Sequence, residues 1–313
     1  MGLYRSGNFE TQMAGDTACY EMNDEAAMFM GKMMMAEYGA NEGTVNCYFV
    51  GPGSMYANLG RTVEQRVFFE KFGNDESEMR SEYAPYEERS SFFITLDPRG
   101  LPIGVLRVIG GESPEDFKSL YDVRDERPVD EYPERAHIDL EKFAKTEGIE
   151  DFSTVWDIGT IAVPKEYRGA ASGQMVSTLL HRALYAGAKQ QGIKHFVAII
   201  DSGENGKSGE HQNLNKLGVP FNPILGSEPF EYLGSKNSTA LHCRVDDVEM
   251  SMVSKAQEYM REAWVATGSG EALPSRRADL NQHLVRLIGN MVFGQEMDDK
   301  IHYRRAMHTS LTS

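Results

Sequence analysis

The sequence predicts an α/β protein with a mixed sheet, and two segments support this prediction. The first is a hairpin, in which two runs of β-forming residues, 92–96 and 103–109, flank an Asp-Pro-Arg-Gly turn. The second is a strand, helix and strand over 154–163, 171–191 and 195–201, and such a unit implies parallel strands. A sheet that holds both a hairpin and a parallel unit is mixed.

Upstream of the hairpin the sequence predicts helices over 23–38 and 59–72, the second because its apolar residues recur at three- and four-residue spacing. The polar segment 73–90 is predicted to be a loop. Residues 111–150 are charged and irregular with three prolines, so a helix is predicted only near 139–146.

Downstream of the hairpin the apolar residues of 171–191 share one helical face, and Gly192 follows at a position typical of a helix terminator. A short helix at 211–218 and a β-rich stretch at 230–245 come next. The C-terminal region, 250–313, predicts two amphipathic helices separated by the sequence GSGEALPSRR.

The composition limits the classes of function. A formal net charge of -15 and a pI near 5.0 argue against a general nucleic-acid binder, so local arginines and backbone amides must hold any anionic ligand. The chain has no signal-peptide core and no apolar run of about 20 residues, so we expect a cytoplasmic protein. The cysteines are too few and too scattered for a disulfide framework or a metal site: Cys19, Cys47 and Cys243.

A corner of small side chains separates the strand 154–163 from the helix that follows it. Unpaired amides at the start of that helix, together with its dipole, would make the corner an anion site suited to phosphate. Arg168 adds a fixed positive charge at the same place. The alternative is a tight turn that uses small residues only to turn. The corner residues are Gly169, Ala170, Ala171, Ser172 and Gly173.

The order of these elements and the words IAVPKEYRGAASG resemble the GCN5-related N-acyltransferase (GNAT) superfamily. Its signature is an apolar strand, then R-x-x-G-x-G or R-x-x-G-x-A, then a helix. Arg168 and Gly173 match that signature, whereas Ala171 stands in the place of the middle glycine. A methyl group there restricts the backbone in a way that glycine does not.

The resemblance implies the GNAT acyl-CoA N-acyltransferase fold: a mixed, mostly antiparallel sheet, split at the strand 154–163, with helices on both faces. With it we predict three parts of the chain. These are an N-terminal extension, 1–57, a GNAT-like acyltransferase domain, 58–249, and a C-terminal helical extension, 250–313.

Within the superfamily, residues 58–225 are most similar to the acyl-homoserine lactone synthases and the long-chain N-acyl amino acid synthases. VFFEKFG, the pair Tyr-Glu, GVLRVI with Arg107, and WDIGT correspond in order to motifs of those proteins. Glu64 and Thr160 replace two arginines that help the synthases to hold S-adenosylmethionine, so the resemblance does not extend to that acceptor.

The activity implied by the resemblance is transfer of an acyl group from acyl-CoA or an acyl carrier protein to an amine. An amino-acid-like molecule is one candidate acceptor, and no metal is expected. Asp157 occupies the place of the synthases' strand glutamate and would take the amine proton through a water, since an α-amino group has a pKa of about 7.7–8.0. The alternative is that Asp157 only caps or pairs within the sheet.

The donor thioester would be held by the central strand and by the corner after it. Main-chain amides of Ile161 and Val163 would stabilise the tetrahedral intermediate, and Ala162 and Val163 would pair with the pantetheine arm. Arg168 and the five corner residues would hold the diphosphate. An ordinary buried strand accounts equally well for the apolar side chains of this segment.

Candidate residues for the acceptor and acyl side are Phe68, Tyr86, Glu87, Arg107 and Thr160. For Arg107 the alternative is an internal salt bridge with Glu87, and for the aromatic residues it is core packing. The arginines at 124, 127 and 135 would face an acidic carrier protein, or else belong to a solvated loop.

The general acid is not identifiable, because Leu214 stands where many superfamily members carry a tyrosine. Two other functions stay open at this point. One is an acetyltransferase that uses acetyl-CoA on a small amine or a protein lysine. The other is a non-catalytic protein that binds a nucleotide or a partner on the same scaffold.

Overall fold

A computed structural model describes residues 18–124, 138–168, 175–203, 209–233, 235–268 and 275–303 of the chain. Its helices are α1 Asp24–Tyr38, α2 Ala57–Phe72, α3 Glu76–Tyr83, α4 Lys118–Val123, α5 Leu140–Glu147, α6 Val176–Gln191, α7 Glu210–Leu217, α8 Val245–Gly268, α9 Ser275–Phe293 and α10 Gln295–Asp298. Its strands are β1 Asn46–Val50, β2 Ser90–Leu96, β3 Pro102–Ile109, β4 Val155–Ala162, β5 His195–Asp201, β6 Asn222–Pro223, β7 Phe230–Tyr232, β8 Ser235–Arg244 and β9 Ile301–Tyr303.

These elements confirm the predicted mixed α/β fold. The hairpin forms as β2 and β3, and the predicted parallel unit forms as β4, α6 and β5. Among the strand pairings with a described register, four are antiparallel and two are parallel, so the sheet is mixed and mostly antiparallel. The described residues fall into two compact units, one from 1–107, 161–183 and 296–313, the other from 108–160 and 184–295.

In the first unit α1 and α2 pack on β1 and β2. Strand β1 pairs antiparallel with β2 and parallel with β9. Gly31 of α1 lies against the hairpin turn so closely that a Cβ there would overlap the carbonyl oxygen of Gly100. Gly100 itself adopts a φ of 91°, which an L side chain disfavours. The core side chains include Tyr48, Val50, Leu59, Val63, Phe92 and Ile94.

In the second unit β5 lies between β4 and β8, and it pairs with β8 along its whole length. Helices α4 and α5 cover one face of these strands. Phe117, just before α4, packs against Val155 and Val197 together with Leu120 of α4 and Phe143 of α5. Each such side chain, when fully buried, stabilises the fold by about 1.5–3 kcal/mol.

The two predicted C-terminal helices are also confirmed, as α8 and α9 of the second unit. Helix α8 follows β8 directly, and the hydroxyl of Tyr259 on α8 donates to the carbonyl oxygen of Lys216 at 2.7 Å. That bond anchors α8 on α7. Within the described residues, no helix is both long enough and apolar enough to cross a membrane.

The prediction of a loop over 73–90 is wrong, because α3 and the 3-10 turn Ala84–Arg89 occupy most of it. Helix α3 begins at a reciprocal capping box. The amide of Glu78 donates to Asp75 at 2.9 Å, and the amide of Asp75 donates to Glu78 at 2.8 Å. The sequence D-x-x-E at 75–78 is a signal for a helix start, and here it outweighs the polar composition that predicted a loop.

Several short elements were not predicted, among them α4 in the charged segment, β1 and β9. Helix α4 has six residues, and β9 has three. Elements this short have too little periodicity to be recognised in a sequence. They form because a partner is present, as when β9 pairs with β1.

Candidate active site

The central strand β4 separates from β5 partway along its length. Their parallel register covers Val155–Asp157 against His195–Val197 and ends there. Both strands continue, β4 to Ala162 and β5 to Asp201. The split that was predicted for strand 154–163 is therefore seen at Asp157, where the ladder between β4 and β5 stops.

Asp157 lies at this point, fully buried beneath α4. Its carboxylate accepts the amide of Ser119 at 2.7 Å and the hydroxyl of Ser119 at 2.6 Å. Burial raises the pKa of Asp157 to about 6, although the bonds from Ser119 and the charge of Lys118 act in the opposite direction. A carboxyl group with this pKa takes up and releases protons close to neutral pH.

The same contact makes Asp157 a cap for α4, because Ser119 is the second residue of that helix. The structure therefore shows the capping role that was the alternative for Asp157. The role of Asp157 as a base stays a prediction, and the two roles are compatible because one carboxylate can hold a helix and still exchange a proton.

A second polar cluster, composed of Lys118, Asp122 and Tyr232, lies beside Asp157 in the same unit. The ammonium of Lys118 lies 2.8 Å from Asp122, and the hydroxyl of Tyr232 donates to Asp122 at 2.6 Å. Lys118 and Tyr232 also contact each other. Lys118 lowers and Asp122 raises the pKa of Asp157. This cluster was not predicted, and its one local signal in the sequence is the four-residue spacing of Lys118 and Asp122.

The end of β4 leads into the segment predicted to hold the donor. Ala162 and Val163 are buried, and Ile161 is half-buried. Arg168 is exposed, and its Nε donates to the carbonyl oxygen of Val163 at 2.6 Å, which fixes the base of the guanidinium at the strand end. The predicted corner, Gly169, Ala170, Ala171, Ser172 and Gly173, lies outside the described residues.

Arg107, in the first unit, forms the internal ion pair that was the alternative to substrate binding. It is fully buried, and its guanidinium contacts Glu64 at 2.7 Å and Glu87 at 3.2 Å. Arg61 also pairs with Glu87. Burial raises the pKa of Glu87, but Arg107 and Arg61 outweigh burial and lower it to about 2. Glu64 thus supplies a counter-charge to Arg107. Tyr20 completes the network by donating to Glu87.

The remaining candidates lie in different surroundings. Phe68 is half-buried and packs against Tyr20, Met79 and Tyr83, while Tyr86 is buried, so the core alternative describes their contacts. Thr160 is buried on β4, and Leu214 is buried on α7. Of the arginines assigned to a carrier protein, Arg124 follows α4, whereas 127 and 135 lie outside the described residues.

No family model matches the sequence, and no curated protein matches it. A search of solved structures finds the acyl-homoserine lactone synthase LasI at 11% identity, covering 68% of this chain and 95% of that one, with a TM-score of 0.43. It also finds the CoA-dependent acyl-homoserine lactone synthase BjaI, with S-adenosylmethionine and isopentyl-CoA, at 12% identity, 68% and 89% coverage and a TM-score of 0.42.

A third structure found is FeeM, an N-acyl amino acid synthase from uncultured soil microbes, at 13% identity, 66% and 93% coverage and a TM-score of 0.43.

Proposed function

We propose that this chain is an N-acyltransferase, which moves an acyl group from acyl-CoA or an acyl carrier protein to an amine. The observation that carries the proposal is the end of the β4–β5 ladder at Asp157, with both strands continuing beyond it. An opening between two parallel strands accepts an extended, amide-bearing chain such as the pantetheine arm of a thioester.

The donor would lie along the C-terminal part of β4. In the proposal the amides of Ile161 and Val163 stabilise the oxyanion, and Ala162 and Val163 pair with the pantetheine arm. Arg168 binds the diphosphate together with Gly169, Ala170, Ala171, Ser172 and Gly173. Its bond to Val163 supports this role, because an arginine held at Nε keeps its terminal nitrogens for a ligand.

Asp157 is the proposed general base. The amine nitrogen attacks the thioester carbon, the carbon–sulfur bond breaks, and the ammonium proton goes to Asp157. Asp157 precedes Ile161 by four residues, which is about 13 Å along an extended strand, so the proton would travel through water. With a pKa of about 6, Asp157 is ionised at neutral pH and able to accept that proton.

The acceptor would bind near the aromatic residues of the first unit, and an amino-acid-like amine is the candidate. Arg107 and Glu87 neutralise each other within the buried network, so in the proposal they form a wall of this site and do not bind the acceptor's charge. Phe68 and Tyr86 line the site. Thr160 would offer a hydroxyl where the synthases have a charge. We place the reaction in the cytoplasm, where both donors occur.

The test is turnover by the purified chain with acyl-CoAs of graded length, an acyl carrier protein donor and a panel of amines. Thiol release and acylated product, detected by mass spectrometry, support the proposal. Asp157→Asn should remove turnover yet keep thioester binding. Asp139→Asn is the matched control, because Asp139 also caps a helix, accepting from the amide of Lys142 in α5, but is exposed. No thiol release with any donor and amine would contradict the proposal.

One observation favours a non-catalytic binding protein as a second candidate. Asp157 is fully buried and both of its oxygens accept bonds from Ser119, which is sufficient reason for its presence without chemistry. In that case the wild-type chain would bind a thioester without consuming it. Preference for acetyl-CoA over longer donors would instead identify an acetyltransferase.

A further inference from the structure

The carboxylate of Asp157 is held by one residue, Ser119. Oδ2 of Asp157 accepts the amide of Ser119 at 2.7 Å, and Oδ1 accepts its hydroxyl at 2.6 Å. Within the part of the chain that the structure describes, this carboxylate accepts no other hydrogen bond. Ser119 is therefore the polar partner that decides how the carboxylate is held.

The two bonds from Ser119 differ in what they can transfer. A backbone amide only donates and keeps its proton, whereas a hydroxyl group is both a donor and an acceptor. Ser119 can therefore give its hydroxyl proton to Oδ1 of Asp157 while its oxygen accepts another proton. Of the two bonds, only the one from the hydroxyl offers Asp157 a path for protons.

The burial of Asp157 makes such a path necessary. Asp157 is 0% exposed, whereas 5% of the surface of Ser119 is exposed. Solvent thus contacts the residue Ser119 but not the carboxylate of Asp157. Because the proposed reaction requires Asp157 to take up a proton through water, we expect Ser119 to lie between that water and the carboxylate.

Ser119 is itself fixed by its neighbours on α4. Leu120 is buried in the core of the second unit. The ammonium of Lys118 lies 2.8 Å from Asp122 and contacts the hydroxyl of Tyr232 on β7. Because the side chains on both sides of Ser119 are anchored, little conformational freedom is left for Ser119 to lose when it forms its two bonds.

We propose that Ser119 is a positioning residue for acyl transfer, and that its hydroxyl group keeps Asp157 ionised and passes the amine proton to it. This inference rests on the proposed function. The ammonium proton goes to a water molecule, the water gives a proton to Oγ of Ser119, and the hydroxyl proton of Ser119 goes to Oδ1 of Asp157. Ser119 is unchanged at the end, Asp157 is neutral, and the reverse steps return the proton to solvent.

The proton affinity of Asp157 depends on a small set of groups. Burial raises the pKa of Asp157 to about 6, and the hydroxyl and amide of Ser119 lower it. Of the charged groups on α4, Lys118 lowers this pKa and Asp122 raises it, and Tyr232 of β7 contacts both of them. The register partner of Asp157 on β5 is apolar. Removing the hydroxyl of Ser119 should therefore raise the pKa of Asp157, since the ionised form loses a donor.

The first experiment follows the side-chain carboxyl carbon of Asp157 by NMR across pH, in the full chain without substrate, with Asp157→Asn to assign the signal. Ser119→Ala removes the hydroxyl and keeps the amide that caps α4. We expect the midpoint of Asp157 to rise by about one to two pH units in Ser119→Ala, the usual effect of one hydrogen bond to an ionised group. Ser119→Thr keeps a hydroxyl and should titrate as the wild type does.

The second experiment measures the pH–rate profile with an acyl thioester and an amine that the wild-type chain turns over. The profile of Ser119→Ala should move to higher pH, because Asp157 must be ionised to accept a proton. Its plateau at high pH should fall by about tenfold or more, since the path for the proton is lost, while KM for the thioester stays unchanged. Ser119→Thr should restore both midpoint and plateau. A purely structural role of Ser119 would change the melting temperature and leave the midpoint where it is.

Ser153→Ala is the matched control. The amide of Ser153 donates to Asp151 at 2.9 Å and its hydroxyl bonds to the same carboxylate, but both residues are exposed. This variant should leave the midpoint of Asp157 and the rate profile unchanged. An unmoved midpoint in Ser119→Ala, or a plateau equal to that of the wild type, would overturn the proposal. A wild-type chain that transfers no acyl group would instead refute the proposed function, and the substrate-free titration distinguishes the two failures.

Discussion

Replacing Arg107 with methionine should destabilise the protein more than any exposed substitution. The guanidinium of Arg107 is fully buried, donates to Glu64 at 3.0 and 2.7 Å, and lies 4.1 Å from the ring centroid of Tyr83. Arg107→Met removes both bonds that the guanidinium donates to the buried Glu64, whereas Glu87 keeps Arg61. Breaking one side of a buried pair costs about 3–5 kcal/mol, so we expect a loss of that size.

The assay is urea unfolding followed by fluorescence, with the midpoint and slope compared between variants. Arg66→Met is the matched control, because Arg66 pairs with Asp24 at 2.6 Å at the surface and should cost less than about 1 kcal/mol. Adding Glu64→Gln to Arg107→Met should recover part of the loss, since the buried carboxyl group that Arg107 balanced is then removed as well. If Arg107→Met unfolds at the same urea concentration as Arg66→Met, the ion network does not stabilise the first unit as described.

Three further outcomes are expected. Asp157→Asn should lower the rate of acyl transfer by about 100-fold or more. The wild-type rate should rise in a pH–rate profile as pH increases through about 6, and a flat profile would exclude Asp157 as the base. The pKa of His242 is about 4 in the folded protein against an ordinary 6.5, so the free energy of unfolding should fall by up to about 3 kcal/mol as pH drops from 6.5 towards 4. His242→Phe should remove this contribution of His242, as melting curves at several pH values would show. Asp75→Ala should cost about 1 kcal/mol of stability in urea by removing the cap of α3, with an unchanged midpoint counting against the capping box.

Local signals in the chain accounted for the elements that satisfy themselves over short distances. The turn between β2 and β3 is one example, because Asp97 accepts the amides of Arg99 and Leu101, both at 2.9 Å, within four residues. Apolar runs predicted β4 and β5, and the helical period predicted α6. Each of these patterns is complete within one segment, so the sequence contains all of the information needed.

The candidate site could be predicted only in part. Asp157 and Arg168 stand in motifs that are readable along one strand and its following turn. Ser119, which holds Asp157, comes from 38 positions away on a helix of six residues, and no periodicity marks it. Its role exists only when α4 lies over β4.

Sequence alone was sufficient for the mixed α/β class and the parallel unit, because secondary structure depends largely on local properties of the chain. Tertiary structure was needed to show that Arg107 meets Glu64 across 43 positions, that β9 joins β1, and that His195, His242 and Glu147 form one chain of contacts. Ion pairs, strand pairing and side-chain hydrogen bonds act over distances of a few ångströms. Only folding brings residues that are far apart in the sequence to within such distances.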